Sequence, residues 1–168
     1  MPTRVLGIDP GTHRMGFALL DMSNNRPNCL EWGCLEANRR DPIHIRLSHL
    51  YSELTQLVER WRPEYMAVEE PFVAPQRGAK SAIAVGQAQA IALLVAGSNS
   101  IEVHRYAPSQ VKRAISDYGA STKDQVQRTV QLILGMDPTP ISQDASDAIA
   151  IGLCHFQQRQ MDQRIKGI

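Results

Sequence analysis

Val5-Leu6-Gly7-Ile8-Asp9-Pro10-Gly11-Thr12-His13-Arg14 is an apolar run of strand length that ends on a carboxylate and breaks at once into a turn. Two more strand-like runs follow, Gly16 to Leu20 and Leu30 to Leu35, divided by the turn-rich Ser23-Asn24-Asn25-Arg26-Pro27-Asn28. Links this short favour an antiparallel meander of three strands. The period then changes. Ile43, Leu47, Leu50, Tyr51, Leu54, Leu57, Val58 and Trp61 recur at the spacing of an amphipathic helix, with Pro63 just beyond its end. Tyr65 to Glu69 reads as a strand, the Ala-rich stretch from Ala79 to Ala96 as a helix, and Ile101 to Tyr106 as a further strand. Helical stretches near Pro108–Ile115, Lys123–Leu134 and Ser142–Gln157 close the chain. A meander followed by alternating helix and strand predicts an α/β fold, a mixed five-stranded sheet with helices on both faces.

The chain has 168 residues, which at roughly 150 per domain predicts one domain over 1–168, with a short tail from about 159. Apolar residues make up 43% and charged residues 21%, a globular balance. No apolar run approaches the roughly 20 residues of a membrane span, so no membrane partner is expected. The start runs straight into a strand without the pattern of a secretion signal. Cys29, Cys34 and Cys154 have neither disulfide-framework nor zinc-site spacing, and a cytoplasmic location is expected. Eighteen Lys and Arg against seventeen Asp and Glu give +1, so bulk charge neither supports nor excludes nucleic acid.

The informative residues are carboxylates where apolar side chains would be expected. Asp9 ends the first strand; alone, it reads as readily as a turn-starting Asp. Glu69 and Glu70 end the strand Tyr65-Met66-Ala67-Val68, and alternation puts one of them on each face. If this strand lies parallel beside the first, one of the two projects from the same end of the sheet as Asp9. Asp144 and Asp147 stand at i, i+3, and on a helical wheel Asp144, Ala148, Ile151 and His155 share an arc with Asp147 at its edge. Gln143, Ser146 and Gln157 form the more polar arc. Acids in a first turn also complement the helix dipole, but that accounts poorly for two on the packing side. Four carboxylates beside apolar surfaces need salt bridges or divalent cations. No Arg or Lys lies within a helical turn of Asp144 or Asp147, nor beside Glu69. Mg²⁺ prefers carboxylate oxygens, and two such ions roughly 3.5–4 Å apart serve phosphodiester cleavage.

Gly7-Ile8-Asp9-Pro10-Gly11-Thr12, Ala67-Val68-Glu69-Glu70-Pro71-Phe72, Val85-Gly86-Gln87-Ala88, Gln110-Val111-Lys112 and Asp144-Ala145-Ser146-Asp147-Ala148 occur in that order. From Leu6 to about His155 the chain resembles the RuvC family, crossover-junction endodeoxyribonucleases that resolve Holliday junctions on a ribonuclease-H-like fold. The resemblance implies that Asp9, Glu69, Asp144 and Asp147 are the metal-binding catalytic acids, which selects Glu69 over Glu70. It implies two Mg²⁺ ions, with Mn²⁺ as a substitute, a homodimer, and paired nicks in a four-way DNA junction that leave 5′-phosphate ends. It also implies partnership with the RuvA–RuvB branch-migration complex. Lys123 and Lys112 match family lysines that matter for cleavage and DNA binding. Phe72 matches an exposed ring that stacks at the junction, and Arg77 and Lys80 beside it would meet phosphates. The apolar stretch Ala82, Ile83, Val85, Gly86, Ala90, Ile91, Leu93 and Leu94 is where the family dimerises, and a twofold interface is expected there.

The chain departs from the family pattern in a slightly longer loop between Phe72 and Gly86, and in Gln89 where a basic residue is common. A YqgF-like nuclease of the same fold, acting in ribosomal RNA processing, shares the first strand and turn. Phe72, the Gly86-Gln87-Ala88 helix and the length argue against it. A non-cleaving junction-binding module would gain nothing from clustered negative charge.

Overall fold

The computed structural model describes residues 3–23, 26–70, 78–116, 122–135, 140–165 and 167. Three strands, β1 (Arg4–Asp9), β2 (Arg14–Asp21) and β3 (Asn28–Glu36), form the expected antiparallel meander. Helix α1 (Ile43–Trp61) leads into β4 (Tyr65–Glu69), and α2 (Gly78–Ser98) into β5 (Glu102–Tyr106). Helices α3 (Pro108–Ser116), α4 (Lys123–Leu134) and α5 (Gln143–Ile165) complete the chain. The sheet order is β3-β2-β1-β4-β5, with β1, β4 and β5 mutually parallel. The mixed five-stranded α/β sheet read from periodicity is therefore the fold.

Each face of the sheet carries its own core. Leu6, Ile8, Met66 and Val68 pack under Leu50, Leu54, Leu57 and Val58 of α1 and Ile91, Ala92 and Val95 of α2. The three-and-four spacing of α1 sets that contact, and each fully buried aliphatic stabilises the fold by about 1.5–3 kcal/mol. Arg62 then adopts a left-handed conformation, its N–H bonding Val58 O, and Pro63 prevents the helix from continuing. On the opposite face, Val5, Ala18, Leu20 and Ala67 pack against α5, with α3 and α4 outside it.

Three sequence readings change. The stretch from about 159, read as a tail, continues α5 to Ile165. Ser146, placed on the polar arc, is 2% exposed, because α5 lies between the sheet and the outer helices and is buried at every position from Ala148 to Phe156. Helix α2 is long and apolar enough, by length and composition alone, to cross a membrane. Its Ala88, Ile91, Ala92, Val95 and Ala96 are instead buried in the core beneath α1, while Ile83, Leu93 and Leu94 are exposed.

Candidate active site

Alternation along β1 and β4 decides where the acids point. Val5 and Ala67 belong to the core under α5, so Asp9, four residues beyond Val5, and Glu69, two beyond Ala67, keep that parity and face the same side. The parallel register Val5↔Tyr65 to Ile8↔Val68 carries both to one end of the sheet. Glu70 falls on the other parity. Its backbone N–H donates to Tyr106 O at 2.8 Å, and its exposed carboxylate lies 3.7 Å from Arg105.

Helix α5 brings the other pair to that end. Its close approach rests on two glycines: a Cβ on Gly7 would collide with Ala148 O, and one on Gly16 with Asp144 O. Gly16 pairs with Asp9 across β1–β2, so the first turn of α5 lies directly over Asp9. Ser142 starts the helix, its Oγ accepting from Ala145 N at 3.2 Å.

The four carboxylates feel one another. Burial first, then Glu69, Asp147 and Asp144, push the pKa of Asp9 up to about 7. Burial and Asp147 raise that of Glu69. Asp147 Oδ1 accepts from Gln143 Nε2 at 2.7 Å. Among the described residues no three His, Cys, Asp or Glu side chains are drawn tightly enough to cage a metal ion. Mutual repulsion between carboxylates reaches further than coordination distance. A hard divalent cation that keeps most of its waters needs only one or two carboxylates per ion. The donor set is all oxygen: the nearby Cys34 thiol is pushed up to about 11, first by burial and then by Asp144, and stays protonated. These residues fit Mg²⁺ or Mn²⁺.

Reading along the sequence missed three neighbours. Asp144 does have a cationic partner: Arg14 Nε donates to its Oδ2 at 2.7 Å, and Arg14 Nη1 bonds Glu36 Oε1. A scan confined to one helical turn could not find a partner on β2. Gln89, which stands where a basic residue is common in the family, is buried, with Nε2 3.4 Å from Glu69 O. The third is a basic rim. The β1–β2 turn is joined to the end of β3 by Ala37 N donating to His13 O at 2.9 Å, and to α1 by Arg46 reaching Thr12 O at 3.4 Å. Burial, then Arg39, Arg46 and Arg14, lower the pKa of His13.

Lys80 is exposed in the first turn of α2 and Lys112 on α3. Lys123 begins α4 behind a capping box between Thr122 and Gln125; its side chain lies outside the described residues. Phe72 and Arg77 also lie outside them.

The family model described as "Crossover junction endodeoxyribonuclease RuvC" matches residues 5–155. The protein of that name from Finegoldia magna is 39% identical over 153 residues, covering 91% of this chain and 92% of that protein. The one from Desulforamulus reducens is 39% identical over 91% and 93%. Among solved structures, Thermus thermophilus RuvC in complex with Holliday junction substrate superposes with a TM-score of 0.83 at 29% identity, over 94% of this chain and 96% of that one. The yeast mitochondrial Holliday junction resolvase, at TM-score 0.66 and 16% identity over 96% and 83%, shares the fold.

Proposed function

This chain belongs to the RuvC family of crossover junction endodeoxyribonucleases, and on that premise we propose that it resolves Holliday junctions in recombination and repair by paired, symmetric nicks. The observation that carries the chemistry is the set Asp9, Glu69, Asp144 and Asp147 at one end of the sheet, where burial and then the neighbouring carboxylates drive Asp9 up to about 7. The family is one of metal-dependent nucleases, and Mg²⁺, with Mn²⁺ as a substitute, is the cation we assign. Two such ions held by these acids would polarise the scissile phosphodiester and ready a water for attack. The chain's own residues do the rest. Gly7 and Gly16 let α5 descend so that its acids meet those of the strands. Arg39 and Arg46, which flank His13, form a basic rim suited to the incoming backbone, fixing register without reading bases. Lys112 and Lys123 are assigned to the substrate phosphates, with Lys80 and Arg77 further along and Phe72 against unpaired bases.

Paired nicks need two equivalent sites. The exposed Ile83, Leu93 and Leu94 of α2 favour a twofold homodimer there. RuvA–RuvB is the proposed branch-migration partner, and the cytoplasm, where the chromosome lies, is the proposed location.

The test is cleavage of a synthetic four-way junction against linear duplex, with Mg²⁺ or EDTA, by wild type and Asp144→Asn. Symmetric, metal-dependent nicks that vanish in the variant are expected. Junction binding without cleavage, unchanged by Asp144→Asn, would make the chain a binding module. Activity on RNA with none on the junction would move it to the RNA-processing branch.

A further inference from the structure

Arg14 stands on β2 between an acid of β3 and an acid of α5. The register Arg14↔Glu36 places its first partner beside it, and the packing of α5 on Gly16 brings Asp144 to the other. Its guanidinium donates through Nε to Asp144 Oδ2 at 2.7 Å and through Nη1 to Glu36 Oε1. Cys34 Sγ lies 3.8 Å from the same Asp144 oxygen. The Arg14–Asp144 pair is partly open to water, so it adds little stability. Its electrostatic effect is larger, because a guanidinium does not lose its proton at any working pH. A divalent cation approaching Asp144 therefore meets a fixed positive charge already bonded to Oδ2 and held from behind by Glu36. Asp147, one turn along the helix, is bonded by the Gln143 amide.

We propose that Arg14 is a resident counter-cation of the acid cluster, held by Glu36, that occupies Asp144 in the metal-free protein and opposes loading of divalent cation there. The assignment rests on the reading of the four acids as metal ligands. It makes Arg14 a positioning residue rather than a catalytic one. It sets how much metal the site needs before it is filled.

The experiment is Mn²⁺ titration of the full chain without DNA, followed by electron paramagnetic resonance of the free ion. Arg14→Gln should bind Mn²⁺ about threefold to tenfold more tightly than wild type, the effect of removing one unit charge from a partly screened site. Arg14→Lys keeps the charge and should stay within about twofold of wild type. Equal or weaker binding by Arg14→Gln overturns the proposal, as does Arg14→Lys behaving like Arg14→Gln. Asp9→Asn separates the two readings. Loss of Mn²⁺ binding in Asp9→Asn while Arg14→Gln matches wild type sinks only the Arg14 assignment. Wild-type-like binding by Asp9→Asn sinks the metal reading and this proposal with it. A readout on the wild type needs no folded variant: the Arg14 Nε–H proton resonance should move as Mg²⁺ is added, and a resonance unchanged at saturation overturns the proposal.

Discussion

Two titratable residues, one buried and one half-buried, pull the pH dependence of stability in opposite directions. His155 is 1% exposed, its Nδ1 2.7 Å from Tyr106 Oη, and burial, with His104 next, holds its pKa down at about 3. The unfolded chain takes up that proton near 6.5, so stability is complete above 6.5 and falls as pH drops toward 3. Between pH 6.5 and 5 the loss amounts to about 2 kcal/mol. Denaturant unfolding at pH 7.5, 6 and 5 should show this slope in wild type and not in His155→Phe. Asp9 runs the other way. Its folded pKa, raised from 3.8 to about 7, means stability is complete in acid and is lost as pH rises through 7. In EDTA at pH 8, Asp9→Asn should melt higher than wild type, by on the order of 2 kcal/mol, while cutting no junctions. A melting temperature at or below that of wild type would show that Asp9 carries no such strain.

Helix α5 is the element on which the site depends. A stripe of side chains would keep an ordinary helix some distance from the sheet; Gly7 and Gly16 remove the obstruction where Ala148 O and Asp144 O must pass. Gly16→Ala forces the first turn outward, away from Asp9. It should cost about 1–3 kcal/mol in unfolding free energy and reduce cleavage far more than junction binding, measured as single-turnover rate against gel-shift affinity. Equal losses in both would place its effect in global folding. Helix α2 shows how far periodicity reaches. Its apolar residues run around most of the circumference, so the sequence signalled burial on more than one side; the sheet and α1 account for one side and leave Ile83, Leu93 and Leu94 outward.

At the scale of the whole molecule, that outward face is where a second copy would sit. Leu94→Glu places a charge at the centre of the proposed interface, at a position 58% exposed in the single chain. Light scattering should show a monomer with unchanged unfolding behaviour, and the two nicks on a junction should become uncoupled. A variant that stays dimeric with paired nicks would move the interface elsewhere. The formal charge of +1 concealed a local sorting of opposite charges: acids at one end of the sheet, Arg39 and Arg46 around His13. Bulk composition averages such a distribution away.

The sequence by itself determined the elements and their order, because a period of two or of three-and-four is a local property that each segment carries alone. The meander, α1, β4 and α4 are examples. It also singled out Asp9, Asp144 and Asp147, since a carboxylate on an apolar face is anomalous wherever the chain is later folded. Between Glu69 and Glu70 local alternation could not choose; only the parallel pairing of β4 with β1 shows which faces α5. The Arg14–Asp144 contact joins residues 130 positions apart. Likewise, Ser146 is buried because helices distant in sequence close over it. Contacts of that kind are decided by packing, and no local pattern encodes them.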